Sequence, residues 1–318
     1  MDCILTATAP QMSLQGCLPQ PEEGAELSPG PASLSWAIRK LRWALTHPRE
    51  AVGRAARFPG SLATALLGRD SPGRVIVYHA SRSGSTVLGS LLNQHPQIHW
   101  EREIFTRYFA NRSVSDTCIE NPAAAFAYLE RRMSYARQKY YGFEFKFANL
   151  RHLGMSLEDV SARLASLDVS HQIILERRNY LRIVVSNLIG LQQGSFHARR
   201  GDDRGQQRAR IDLYDLQLPG SRTSLIEFLT KVEKYFRTLG DLLDDRDVLH
   251  LTYEDDIASD PVRGYRRVCR YLGVPPDDDP EVIFRRTNPG RLDQLIENYA
   301  EVAEILRDTH FAWMLSAV

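Results

Sequence analysis

Four short apolar runs punctuate the chain, at residues 75–78, 142–147, 171–176 and 248–251, and turn-forming or charged residues bound each of them. Runs of that length between breakers read as strands. The second alternates cleanly, Gly142-Phe143-Glu144-Phe145-Lys146-Phe147, so its aromatics face a core and Glu144 and Lys146 share the other face as a solvated pair. Between and after these runs the apolar period lengthens to that of a helix. Val87, Leu88, Leu91 and Leu92 form one such face, and Phe126, Leu129 and Met133 another, in a helix over 123–140. Leu181, Val184, Val185 and Leu188 form a third, and Ile226, Leu229, Val232 and Phe236 a fourth, over 224–239. Ser156-x-x-Asp159 is a capping-box variant that opens a helix to Leu167. Asp260 and Pro261 supply an N-cap and a first helical residue, Gly273 stands at that helix's far end, and 292–306 reads as a closing amphipathic helix. Strands alternating with helices predict an α/β fold of three layers, with a mostly parallel central sheet and its ligand at the carboxyl ends of the strands.

The same pattern divides the chain. Residues 1–31 are rich in Pro, Gly, Ser and Glu and predict a disordered segment. Residues 32–72 predict a basic amphipathic helical extension. Leu34, Ile38, Leu41 and Leu45 share a face, Arg39, Lys40 and Arg42 lie opposite, and Trp36 and Trp43 are a heptad apart. Two roles fit it: a surface helix packed on the domain with solvated charges, or a peripheral contact of 34–57 with an anionic membrane. Residues 73–318 form the remaining domain. Inside it, 192–220 is a long polar stretch, and a loop of that length is functional or disordered.

Composition narrows the class. The chain of 318 residues is 43% hydrophobic and 25% charged, which is ordinary for a globular protein. A net charge of +1 favours neither nucleic acid nor an acidic polymer as partner. Cys3, Cys17, Cys118 and Cys269 lie far apart with no CxxC pair, which argues against structural zinc and against a disulfide framework. No apolar run approaches a membrane span, and the N-terminus has neither the basic region nor the apolar region of a secretory signal. The expectation is a cytoplasmic location in a reducing compartment.

The chemistry gathers at strand-to-helix corners. The first strand runs into Ala80-Ser81-Arg82-Ser83-Gly84-Ser85-Thr86 and then into a helix. Strand, glycine loop and helix make an anion cradle, because loop amides and the positive helix terminus point at one spot. A P-loop nucleotidase needs GxxxxGK[ST], and a dinucleotide fold needs GxGxxG; the loop has neither. It offers one cation, Arg82, and hydroxyls that include Ser83, Ser85 and Thr86. Just beyond stand Glu101 and Glu103, which are either an exposed charged loop or a general base at the rim of the anion site.

ASRSGSTVL resembles the 5′-phosphosulfate loop of sulfotransferases that use 3′-phosphoadenosine-5′-phosphosulfate (PAPS), especially carbohydrate and small bacterial members. A second segment carries the likeness further. Arg178 ends a strand and Ser186 follows eight residues later, as in the family's grip on the 3′-phosphate of PAPS. A dianionic phosphate wants guanidinium donors and a hydroxyl in fixed geometry; the plainer reading is a surface arginine cluster. YEDDIASDPVRGYRRVCRYLGV is similar to a third family segment, in which Glu254 and Asp255 are architectural. The resemblance implies a P-loop-like sulfotransferase fold over 73–318, with Glu103 before Ile104-Phe105 as general base and Glu101 in reserve. It implies Lys146 near the sulfuryl oxygens, Phe196-His197 near the acceptor with His197 as a second acid/base or substrate contact, and Arg286 (or Arg285) returning to the 3′-phosphate. No metal is required, since arginine and amides supply the positive charge. The implied reaction moves a sulfuryl group from PAPS to a hydroxyl of a carbohydrate, glycolipid or small lipophilic acceptor. Two rivals stand beside it, a kinase-like phosphoryl transferase and a non-catalytic nucleotide-binding protein.

Overall fold

The computed structural model describes residues 71–110, 121–194, 196, 198–199, 207–219 and 221–316. The expectations of disorder over 1–31 and of a basic helix over 32–72 lie outside these residues, 71 and 72 apart, and so does His197.

Five strands form one sheet: β1 (Arg74–His79), β2 (Ile98–Glu103), β3 (Tyr140–Lys146), β4 (His171–Glu176) and β5 (Val248–Thr252). Their spatial order is β2-β3-β1-β4-β5 and every pairing is parallel. The principal helices are α1 (Ser85–Leu92), α2 (Pro122–Met133), α3 (Leu157–Ala165), α4 (Tyr180–Gln192), α5 (Leu225–Leu243) and α6 (Pro261–Tyr271). Alternate residues of β1 enter two cores. Val75 and Val77 pack with Leu88 and Leu91 of α1 and Val268 of α6. Ile76 and Tyr78 pack with Phe126, Val160, Val184 and Leu229 from α2, α3, α4 and α5. A parallel sheet covered on both faces gives the three layers expected. Among the described residues no helix is long and apolar enough to cross a membrane.

The local signals hold at several corners. Ser156 Oγ accepts from the Asp159 amide at 3.1 Å and opens α3. Asp260 Oδ1 accepts from the Val262 amide at 3.0 Å and opens α6 behind Pro261.

Three expectations fail. The helix placed over 123–140 ends at Met133, and Arg137 takes a left-handed turn (φ 57) on the way to β3. The acidic segment after Pro96 is an edge strand, β2, and Trp100 in it is buried. The closing helix is broken into Leu292–Leu295 and Tyr299–Leu306. Between them Ile296 is extended and bridges Ala209, whose amide donates to the Leu295 carbonyl at 2.8 Å. That contact ties the stretch after α4 to the C-terminal region, and no local period announces it.

Candidate functional site

The anion loop is built by two left-handed residues, Arg82 (φ 63) and Gly84 (φ 89). Ser83 is sealed and donates to the Ala80 carbonyl at 2.8 Å, which closes the turn on itself. Gly84 is the N-cap of α1 and offers no side chain to its first-turn amides. Those amides, together with the helix terminus, are suited to an anion. A Cβ on Gly84 would come 2.8 Å from Ile257 Cγ2 and 2.9 Å from Tyr253 Cδ2. Gly84→Ala therefore meets both backbone strain and a clash, and is expected to lower stability by about 1–3 kcal/mol. Urea unfolding checks this; an unchanged midpoint contradicts it.

The loop opens on a pocket of about 490 Å³. Arg82, Gly84, Ser85 and Thr86 line one part of it, Glu103 and Lys146 a second, and Arg177, Ser186 and Arg286 a third. Side chains already cross this space. Arg82 Nε donates to Ser186 Oγ at 2.9 Å and Nη2 donates to Thr287 Oγ1 at 3.1 Å, while Nη1 donates to the Phe196 carbonyl. Thus Arg82, Ser85, Thr86, Glu103, Ser186 and Arg286 meet in one cavity, as the sequence reading required, and Ser83 supports the loop from beneath.

Arg178 is placed otherwise. It is half exposed, its Nη2 donates to Asp255 Oδ1 at 2.8 Å, and it does not line the pocket. Its neighbour Arg177 does, at 6% exposure. Alternation explains the exchange: Arg177 continues the face of Ile173 and Leu175, which is the face that carries α1. Arg177 Nη1 donates to the Arg82 carbonyl at 2.9 Å, and its guanidinium lies 4.3 Å from the centre of the Tyr253 ring. Nε of Arg177 and Nε of Arg286 are buried without a hydrogen-bond partner. Burial pulls Arg177 down to about 10, Tyr253 and Glu254 oppose the fall, and the like charges of Arg182 and Arg286 add to it. It stays cationic at neutral pH. A recess walled by Arg177, Arg182, Ser186 and Arg286 is chemically suited to an anion. Glu254 is architectural, as expected: it accepts from the amides of Arg178 and Asn179 at 3.1 and 3.2 Å and fixes the corner between β4 and α4.

Glu103 reaches the pocket through a β-bulge. Trp100 pairs with Gly142, but Glu103 pairs with Glu144, so β2 carries one residue more than β3 between them. Arg102 absorbs the extra residue at φ 60. Without the bulge Glu103 would point to the far face of the sheet; with it, Glu103 shares the face of Trp100 and α1. Lys146 Nζ stands 2.8 Å from Glu103 Oε2. Burial works against ionisation, yet the Lys146 charge and bonds from Lys146 and Thr106 hold the Glu103 carboxyl below the usual range. It is a carboxylate facing open space, able to accept a proton. Lys146 is therefore engaged at the site, and Glu144, expected on the solvent side, is 2% exposed. Glu101 is not in the pocket. It is buried against His99 and Arg132, and although burial opposes ionisation, those two partners hold it down at about 2.

No protein-family profile matches the chain. No curated protein matches it either. Among solved structures the chain is similar to a sulfotransferase from Alicyclobacillus acidocaldarius, with a TM-score of 0.43 and 15% identity, over 78% of this chain and 95% of that one. The likeness is a distant one.

Proposed function

We propose that the chain is a sulfotransferase that moves the sulfuryl group of PAPS to a hydroxyl of a carbohydrate, glycolipid or small lipophilic acceptor. The observation that carries this reading is a single pocket in which the loop after β1, the arginines at the end of β4 and near Thr287, and one ionised carboxylate meet. The loop from Arg82 to Thr86 suits the 5′-phosphosulfate, and Arg177, Ser186 and Arg286 suit a second phosphate. Glu103 accepts the proton of the acceptor hydroxyl as the new oxygen–sulfur bond forms. The bond from sulfur to the 5′-phosphate oxygen breaks, and adenosine 3′,5′-bisphosphate (PAP) leaves. Arg82, Lys146 and the loop amides stabilise charge on the sulfuryl and leaving oxygens. A membrane-borne acceptor would be served by the basic segment 34–57.

Calorimetry with PAP and with ATP–Mg²⁺, followed by transfer of labelled sulfate across an acceptor panel, tests the reading. Tighter binding of PAP and label on a hydroxyl acceptor are expected. Tighter binding of ATP–Mg²⁺ turns the reading to phosphoryl transfer, and PAP binding without transfer to any acceptor turns it to a non-catalytic nucleotide-binding protein.

A further inference from the structure

Behind Glu103, on the α1 side of the sheet, lie two side chains that the transfer does not use. His79 ends β1 and is 1% exposed; Glu144 lies on β3 and is 2% exposed. His79 Nδ1 is 2.8 Å from the Ala80 carbonyl oxygen, so Nδ1 carries the hydrogen and donates. That leaves the lone pair on Nε2, which faces Glu144 Oε2 at 3.6 Å and has no hydrogen-bond partner. Glu144 Oε1 accepts from the Trp100 indole at 3.0 Å. The indole is fitted between two glycines: a Cβ on Gly89 would come 2.7 Å from its nitrogen, and one on Gly142 2.1 Å from its ring. The acid is thus held in place by design of three elements.

The polar atoms of His79, Glu103 and Glu144 lie within 4.8 Å of one another. From β2, Glu103 and Arg102 act on Glu144; from β1, His79; from α1, the Ser85 hydroxyl; and on its own strand stands Lys146. The Lys146 ammonium is already committed to Glu103. A sealed carboxylate this close to a second one at the pocket wall, whose ammonium partner is already taken, is relieved by a further positive charge, and a proton is the smallest.

We propose that Glu144 holds a proton in the working protein, against the His79 lone pair, and that losing this proton weakens anion binding at the loop beside it. The proposal rests on the donor-site reading above. Burial and the Glu103 charge push Glu144 up to about 7, with bonds from Trp100 and Ser85 opposing, while burial pulls His79 down to about 4. Neutral Glu144 leaves Glu103 the one charged group of the three. Ionised Glu144 places a second negative charge against Ser85, which lines the donor pocket. An anionic donor is then repelled.

Glu144→Gln is the test, since glutamine keeps the shape, accepts from Trp100 and donates to His79. PAP affinity is measured by calorimetry at about pH 6 and about pH 8.5, on either side of the titration. On going to the higher pH the wild type is expected to lose about tenfold relative to Glu144→Gln, the order expected of one unit charge at close range. Because the comparison uses one ligand, the ligand's own titration cancels. Equal pH dependence in both proteins overturns the proposal. Stability gives a readout independent of ligand. Folding raises Glu144 from 4.5 to about 7, so the folded protein binds the proton more tightly, and the stability of wild type relative to Glu144→Gln falls as pH rises through that window. If PAP binds at neither pH, the donor reading fails, and infrared spectroscopy still decides the proton. A carboxylic-acid carbonyl band is expected in wild type at the lower pH, and in Glu144→Gln at neither. Absence of that band, or a stoichiometric divalent metal retained by wild type and lost from Glu144→Gln, overturns the proposal.

Discussion

Glu103→Gln lowers sulfuryl transfer by about 10²–10⁴-fold, the range for loss of a general base, while PAP affinity stays within about threefold. The split follows from position. Glu103 lines the pocket, and its bonded partner is Lys146 rather than a phosphate-holding arginine. Glutamine fills the same space on the same bulge, so the pocket keeps its shape. What disappears is the ability to take a proton, together with the charge that holds Lys146. Single-turnover transfer from labelled PAPS measures the chemical step, and calorimetry with PAP measures the site. Near-normal turnover would remove Glu103 from the chemistry. Glu101 could not replace it, since its carboxylate is buried against Arg132. The proton would then have to go to His197.

Arg177→Ala weakens PAP binding by roughly 10²-fold, whereas Arg178→Ala changes it by less than about threefold. A charge-assisted hydrogen bond is worth about 1.5–3 kcal/mol, and each 1.4 kcal/mol or so is tenfold in affinity. Arg177 is sealed beneath Tyr253 and faces the pocket with an unpartnered Nε. Arg178 is half exposed and paired with Asp255 at the surface, where water screens the pair and its loss costs little. Arg177 also holds the Arg82 carbonyl, so its loss loosens the loop as well. Arg177→Lys separates the two effects: it keeps a cation but not the planar fork, and it should fall between wild type and alanine. Circular dichroism confirms that each variant is folded. The reverse order, with Arg178→Ala the damaging change, would mean that Arg178 leaves Asp255 and swings in when the nucleotide arrives.

That pair also marks how far the sequence could be read. The corners themselves were legible because they are local: an apolar run, a small polar loop and a helical period fix β1, the anion loop and α1 within one stretch. Arg177 and Arg178 are both visible at the second corner, but which of them faces the ligand depends on which face of β4 lies under α1. Alternation from Ile173 and Leu175 settles it once the sheet is known. Glu144 failed for a related reason. Alternation along β3 separates two faces, and one was taken for solvent; in a parallel sheet with helices on both sides, each face is interior. Glu103 stands out only through family likeness, while the bulge that aims it has no local signal, since its left-handed residue, Arg102, is neither Gly nor Asn. Thr287 and the Ala209–Ile296 bridge depend on chain segments far apart in sequence, and no short-range pattern encodes them.

The slot between Gly89 and Gly142 has one more consequence. An indole bonded to a titrating carboxyl reports on it optically, because its excited-state emission differs beside a neutral acid and beside a carboxylate. Trp100 is therefore a native fluorophore for the charge on Glu144. The other three tryptophans, Trp36, Trp43 and the half-exposed Trp313, contribute a background that phenylalanine substitutions remove. A proton held on Glu144 would thus come with its own lamp, whose light changes when the proton departs.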